Sequence, residues 1–191
     1  MPLICAESMV HRTDLSHYDN SWYDAGPFFR RALWYIAHLL FFRSGFPFNS
    51  VKKILLRAFG ARVGQGVVIK PHVRIKYPWK LRIGDYSWIG EEAWLDNLAD
   101  VHIGSNCCIS QGAMLLCGNH DYSRRSFDLV IKPIILEDGA WVGARGLVCP
   151  GVIMKSHSVL AAGSVLSRDA EPYSVYRGNP AVKTKDREMK P

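Results

Sequence analysis

The chain lacks several things that would place it in a common class. It has no apolar run long enough to cross a bilayer: the longest, residues 32–42, has eleven residues, against the roughly 20 that a spanning helix needs. It has no block of five or more Lys/Arg and no finger or RNA-binding signature. Its net charge of +7 therefore suits a membrane surface or a phosphorylated small molecule better than nucleic acid. It has no CxxC pair. Its five cysteines, Cys5, Cys107, Cys108, Cys117 and Cys149, are odd in number and read as small apolar residues in a reducing compartment. Its first fifteen residues carry Glu7 and Asp14 and no long apolar stretch, so no secretory signal is expected and the expected compartment is the cytoplasm. With 48% hydrophobic residues in 191, one domain can bury a substantial core.

Over much of its length the chain also lacks the helical period of 3.6 and the plain strand period of 2. A period of six stands in their place. Residues 136–171 divide into sixes opened by Leu136, Val142, Val148, Met154, Leu160 and Leu166, with Ala140, Gly146, Val152, Ser158 and Ser164 four residues after an opener. Such a repeat predicts a solenoid with three flat faces per coil, the aliphatic opener pointing inward and the small residue at a tight corner. The repeat begins near Val63. It is broken by two-residue jumps that make Val63, Ile83 and Ile103 twenty apart, an insertion that a stacked core tolerates. Glycines follow the openers at Gly64, Gly84, Gly90, Gly104 and Gly143, where a side chain would obstruct the turn.

Three segments follow from this. Residues 1–60 are an N-terminal arm and helices. The arm, 1–26, reads as irregular. A first helix is expected between Pro27 and Gly45, and a second over 50–59 with Ser50 as N-cap and Ile54, Leu55 and Ala58 as its apolar face. The first helix has two readings. It packs on protein, or it lies in a membrane interface with Trp34, Tyr35, Phe41 and Phe42 among the headgroups and Arg30, Arg31 and Arg43 beside them. Residues 61–171 are the solenoid, interrupted at 117–133 by a long loop of the kind that carries sites. Residues 172–191 form a basic tail, to be read as a solvated terminus or as part of a site.

The hexapeptide pattern, the NHD loop at 119–121, GAWVG at 139–143, PGV at 150–152, AAGSV at 161–165 and GNPA at 178–181 resemble the hexapeptide-repeat acyltransferases. Within them the resemblance is nearest to the colanic-acid-biosynthesis type of O-acetyltransferase, related to the galactoside, maltose and nodulation-factor acetyltransferases. It extends through FGARVG, YPWKLRIGDYSWIG and ISQGA, and so over nearly the whole chain. It implies an all-β solenoid, a left-handed parallel β-helix with an N-terminal helical segment and a protruding loop. It also implies a homotrimer with sites between subunits and acetyl-CoA as donor. His120 matches the family's catalytic histidine. Trp141, Gly143, Ala162, Ser167, Arg168, Lys183 and Lys185 match its coenzyme A positions. An asparagine by which galactoside enzymes hold the acceptor is absent here, where Gly90-Glu91-Glu92 stands, so acceptor contacts are open to Glu91, Glu92, Asp96, Asn97 and Asp121.

The chemistry agrees with that placement. Acetylating a hydroxyl needs a base with pKa near neutrality and donors for the oxyanion. His120, between Asn119 and Asp121, is the candidate base; from the residues alone a surface histidine is the alternative. His11, His17, His38, His72, His102 and His157 read as surface or helix-face residues. A related zinc-binding solenoid, the gamma-type carbonic anhydrase, wants a histidine pair five apart; Leu115 and Arg125 stand at those distances from His120, so no metal is expected. The expected activity is acetyl-CoA-dependent O-acetylation of a sugar hydroxyl in a glycan or exopolysaccharide precursor, free or lipid-linked. The alternatives are N-acetylation of an amino sugar and a non-catalytic trimeric scaffold.

Overall fold

The computed structural model describes residues 12–190; the expectations for Cys5, Glu7 and His11 lie outside them. Two helices, α1 (Phe28–Phe41) and α2 (Asn49–Ala58), precede a stack of short strands. The first coil is β1 (Arg62–Val63), β2 (Val68–Ile69) and β3 (Arg74–Ile75). The second is β4 (Leu81–Ile83), β5 (Trp88–Ile89) and β6 (Trp94–Asp96), and the third β7 (Val101–Ile103), β8 (Cys108–Ile109) and β9 (Met114–Leu116). A hairpin of β10 (Gly118–His120) and β11 (Leu129–Ile131) intervenes. The coils resume with β12 (Ile134–Leu136), β13 (Trp141–Val142) and β14 (Leu147–Val148), then β15 (Ile153–Met154), β16 (Val159–Leu160) and β17 (Val165–Leu166). The stack ends in β18 (Ser174–Gly178) and β19 (Ala181–Asp186).

Parallel pairing joins these into three walls of a prism. The first is β1-β4-β7-β12-β15, the second β2-β5-β8-β13-β16-β18-β19, and the third β3-β6-β9-β14-β17. The six openers from Leu136 to Leu166 are all at most 1% exposed, and the corner residues Ala140, Val152, Ser158 and Ser164 are buried beside them. Each buried aliphatic contributes about 1.5–3 kcal/mol relative to exposure. Early coils repeat at twenty residues, as in Leu81↔Val101, and later ones at eighteen, as in Ile135↔Ile153. The reason is local. The first two corners are tight turns through left-handed residues, such as Tyr86 (φ 55°) and Glu92 (φ 59°). The third corner, from third wall to first, takes every insertion: residues 76–80, 97–100 and 117–133. Gly84 and Gly143 are where bulk is excluded, since a Cβ would lie 2.6 Å from Ser105 N and from Ala162 N of the next coil.

The helices close the N-terminal end of the prism by satisfying its open strand edges. On α1, Trp34 Nε1 donates to Ile75 O at 3.0 Å and His38 Nε2 accepts from Ile75 N at 3.1 Å, which covers the third wall. On α2, Asn49 bonds Val67 O and Ile69 N, and the buried Lys52 donates to Ile69 O and Lys70 O, which covers the second. Arg57 donates to Val63 O and Gly64 O on the first. Each such bond is worth about 1 kcal/mol net. This corrects the expected second helix. Ser50 lies inside α2, which has no side-chain cap. Ile54 is 63% exposed, and Lys52 and Leu56 are its buried residues. It also narrows the interfacial reading of α1: Trp34 and Phe42 are buried against the prism and Arg30 donates to Phe59 O, so these three do not stand among headgroups. The large apolar side chains α1 does expose are Phe28, Phe29, Leu33, Tyr35, Ile36, Leu39 and Leu40. No helix among the described residues is long and apolar enough to cross a membrane.

His38 carries a pH dependence. Burial first, then the charge of Arg43, holds its pKa down to about 4 from 6.5. Between those values an unfolded chain binds a proton that the folded one refuses, so stability falls as pH drops from about 6.5 towards 4. The expected loss is on the order of 2 kcal/mol, discounted for partial exposure. Denaturant melts at pH 7 and pH 4.5 should show it, and His38→Gln, which keeps an acceptor without titrating, should flatten that part of the profile. An unchanged slope in the variant would remove His38 as the cause.

Candidate active site

The long excursion at the third corner is a hairpin, not an open loop. Gly118↔Ile131, Asn119↔Val130 and His120↔Leu129 pair antiparallel, and residues 121–128 form its tip. His120 closes the inner end of that tip. Its Nδ1 lies 2.9 Å from Phe127 O, and its ring stacks on the Phe127 ring at 4.4 Å and 10°. A carbonyl can only accept, so Nδ1 carries the proton and a neutral ring presents Nε2 as an acceptor. Phe127 sits at φ 54°, a left-handed conformation costly for a bulky residue, and that twist turns both its carbonyl and its ring towards His120. Asp121 does not orient the ring: its carboxylate accepts from Ser123 N and Oγ and faces Arg124, which together hold it below the usual carboxylate range.

The N-terminal arm, read from sequence as irregular, completes the cleft. Asp14 N donates to Arg125 O at 2.8 Å, and Arg125 Nη2 meets Asp14 Oδ2 at 2.7 Å. At the other end Tyr23 OH donates to Leu98 O at 2.7 Å, and Lys80 Nζ donates to Leu98 O and Asp24 O. Strapped at both ends, the arm brings the Tyr18 ring to 5.7 Å from His120. Tyr18, Asn20, Tyr23, Lys76, Asp96 and His120 surround a cavity of about 580 Å³. Asp96 pairs with Lys76 at 3.0 Å and faces this space. Asn97 does not: it is fully buried, accepting from Lys76 N and Tyr77 N and donating to Tyr77 O, so it pins the corner. Glu91 and Glu92 lie on the second corner, away from His120.

A second groove, about 990 Å³, runs along that second corner. Trp141, Gly143, Ala162 and Lys185 of the expected donor positions line it, together with Ser110 and Gln111, which sequence reasoning missed. Trp141 is held by Nε1 donating to Ser110 Oγ at 2.9 Å. The tail forms one side of the groove and is no frayed terminus. Val159↔Val175 pairs β18 to the stack, and Arg187 donates to Gly139 O and His157 O. Lys183 is turned instead to Asp186 at 2.7 Å. Ser167 and Arg168 are exposed on the third corner of the fifth coil, the same edge of the prism as His120. The site residues thus divide between two edges separated by the third wall.

Two thiols near these features are inert. Burial pushes Cys107 and Cys117 up to about 11, so neither is a thiolate nucleophile at neutral pH. Among the described residues no group of three His, Cys, Asp or Glu is placed to hold a metal ion.

A coil-stacked prism with an imidazole on one edge and a small-residue groove on another is the architecture of a left-handed β-helix acyltransferase. The comparisons with known proteins agree. No protein-family model matches the chain. WcaF of Escherichia coli (strain K12), which carries the provisional name of a colanic acid biosynthesis acetyltransferase, is 39% identical over 136 residues, 71% of this chain and 75% of that one. Galactoside O-acetyltransferase of the same organism is 26% identical over 132 residues, covering 68% and 65%. The hexapeptide-repeat acetyltransferase VCA0836 of Vibrio cholerae has the same fold, with a TM-score of 0.76 at 25% identity over 84% of this chain and 92% of its own. Its complex with acetyl coenzyme A gives 0.75 at 24%, over 84% and 88%. The chain belongs to the hexapeptide-repeat acetyltransferases and is an acyltransferase.

Proposed function

We propose that this chain transfers an acetyl group from acetyl-CoA to a sugar hydroxyl of a glycan or exopolysaccharide precursor, with His120 as general base. The observation that carries this reading is the Nδ1 bond to Phe127 O, which leaves Nε2 as the acceptor of a ring that lines the arm-roofed cleft. Nε2 takes the hydroxyl proton as the oxygen attacks the thioester carbonyl. The tetrahedral intermediate collapses, the C–S bond breaks, and the imidazolium returns the proton to the departing coenzyme A thiolate. With Cys107 and Cys117 held neutral, direct transfer is favoured over an acyl-cysteine. Asp96 and Tyr18 are the groups best placed to orient the sugar.

The donor lies along the second-corner groove. Small Gly143 and Ala162 admit the pantetheine to the backbone, Trp141 flanks it, and Lys185 meets phosphate. Because Ser167, Arg168 and His120 share the other edge, the reading requires a homotrimer in which the third edge of one copy meets the second edge of the next. Lys183 reaches the phosphates only by leaving Asp186. The working place is the cytoplasm, peripheral to the inner membrane face, where the exposed apolar side of α1 contacts lipid.

N-acetylation of an amino sugar would use the same base and donor. Coenzyme A release over a panel of neutral sugars, amino sugars and glycolipids separates the two. The O-acetyl reading expects release with a hydroxyl acceptor and a product label removed by mild alkali. An alkali-stable label formed only on amino sugars would replace it with N-acetylation, and no thioester cleavage with any acceptor would favour a scaffold.

A further inference from the structure

The cleft beneath α1 is an unassigned cavity of about 600 Å³ that shares Arg31, Lys76, Tyr77 and Asp96 with the His120 cavity. The two are therefore adjacent, with these four side chains between them. The buried Trp34 and Ile75 lie on its inner side, and the exposed Phe28 and Tyr35 stand at its mouth. Four cations face it: Arg31, Arg43, Arg74 and Lys76. One carboxylate, Asp96, faces it as well, and it is paired with Lys76 at 3.0 Å. Among the described residues no carboxylate lies within 4.0 Å of Arg31, Arg43 or Arg74. Arg74 instead lies over the Trp94 ring at 4.7 Å, which holds its guanidinium at the cavity wall. His38, which lines it with Tyr35 and Tyr77, is kept neutral at neutral pH by burial and by Arg43.

Three guanidiniums without a carboxylate partner thus line one cavity with apolar walls, and planar forks of this kind match phosphate oxygens. At the cavity's mouth Phe28 and Tyr35 of α1 are exposed, and Phe29, Leu33, Ile36, Leu39 and Leu40 continue that exposed apolar surface around the helix. A ligand filling all three regions has a sugar at His120, a phosphate at the arginines and an apolar chain along the helix. We propose that Arg31, Arg43 and Arg74 form a subsite for the phosphate or diphosphate of a glycosyl phosphate acceptor whose aglycone is a lipid chain lying against α1. The placement of the sugar rests on the acetyl-transfer reading; the phosphate and lipid subsites do not.

A nucleotide sugar carries the same diphosphate, so binding is measured with three probes on the full chain: farnesyl diphosphate, uridine diphosphate and inorganic pyrophosphate. Farnesyl diphosphate is expected to bind about 10-fold or more tighter than either of the others, since a buried isoprenoid adds apolar area. Arg43→Gln with Arg74→Gln should weaken it by roughly 10²-fold, near tenfold for each charge-assisted contact removed, with melting temperature and acetyl-CoA binding unchanged. Where an acceptor is turned over, farnesyl diphosphate should compete with it and not with acetyl-CoA. Tighter binding of uridine diphosphate would overturn the lipid half of the proposal. Equal binding of farnesyl diphosphate to wild type and double variant, in a folded protein, would overturn the phosphate half. Because these are equilibrium measurements, they read out even if no acetyl transfer is found, which alone would tell against the acetyltransferase reading.

Discussion

Replacing His120 with alanine should lower the transfer rate by roughly 10² to 10⁴, the range expected for losing a general base. Acetyl-CoA affinity and melting temperature should barely move. The expectation rests on where the side chain sits. His120 is half-buried at a hairpin tip, and its ring touches Phe127 and Tyr18 without entering the prism core. The donor groove lies on the other side of the third wall. Hence kcat should fall while the donor KM stays near wild type, the pattern of an interaction made in the transition state. His120→Asn is the sharper variant. Its amide nitrogen stands where Nδ1 stood and can keep the bond to Phe127 O, but the side chain offers no base able to take a hydroxyl proton, so it should be about as slow as alanine. Near-normal turnover in either variant would eliminate the base. Lost turnover accompanied by lost acetyl-CoA binding would make His120 a structural part of the cleft.

The period of six was a reliable guide because it reports burial directly. The openers from Leu136 to Leu166 all reached the core, and the glycines after them press on the next coil. The position of His120 could be read because the period fails there. What stayed illegible is what long-range contacts decide. The arm has no period of its own; Asp14 is fixed by Arg125, 111 residues away, and Tyr23 by Leu98, 75 residues away. The only local trace of its role was the set of aromatics among turn formers. The face assigned to helix α2 was right only at Leu55, which packs on the core beside the buried Leu56, while Ile54 and Ala58 are exposed; hydropathy assumes that a helix buries its whole apolar side on a core. This one covers strand ends, so the side chains that matter are the donors Asn49, Lys52 and Arg57. Asn97 looked like a candidate sugar ligand, being polar and a few residues from the stretch where galactoside enzymes hold the acceptor, but an unpaired corner N–H is costly to bury and its amide oxygen settles two of them. The tail read as a basic run, solvated or part of the donor site, with no strand in it. The alternation that pairs β18 with β19 is bulged between Val175 and Tyr176, which blurs the strand signal.

The second large effect concerns the division of the site between two edges of the prism. If each site takes His120 from one copy and its donor groove from the next, two inactive variants should rescue each other. His120→Ala removes the base. Ala162→Trp fills the groove at an exposed position and should spare the fold. Each alone should form trimers with transfer reduced by 10² or more. Co-assembled at equal amounts, a site is intact when its histidine comes from an Ala162→Trp chain and its groove from a His120→Ala chain, which random mixing gives about one time in four in a cyclic trimer. Transfer activity of the co-assembled mixture is therefore the measurement to make, with light scattering to establish a mass three times that of the chain. Recovery to about a quarter of the wild-type rate is the expected result. A mixture no more active than its parents, in particles shown to be mixed trimers, would contradict the shared site, and a monomer mass at micromolar concentration would contradict it outright.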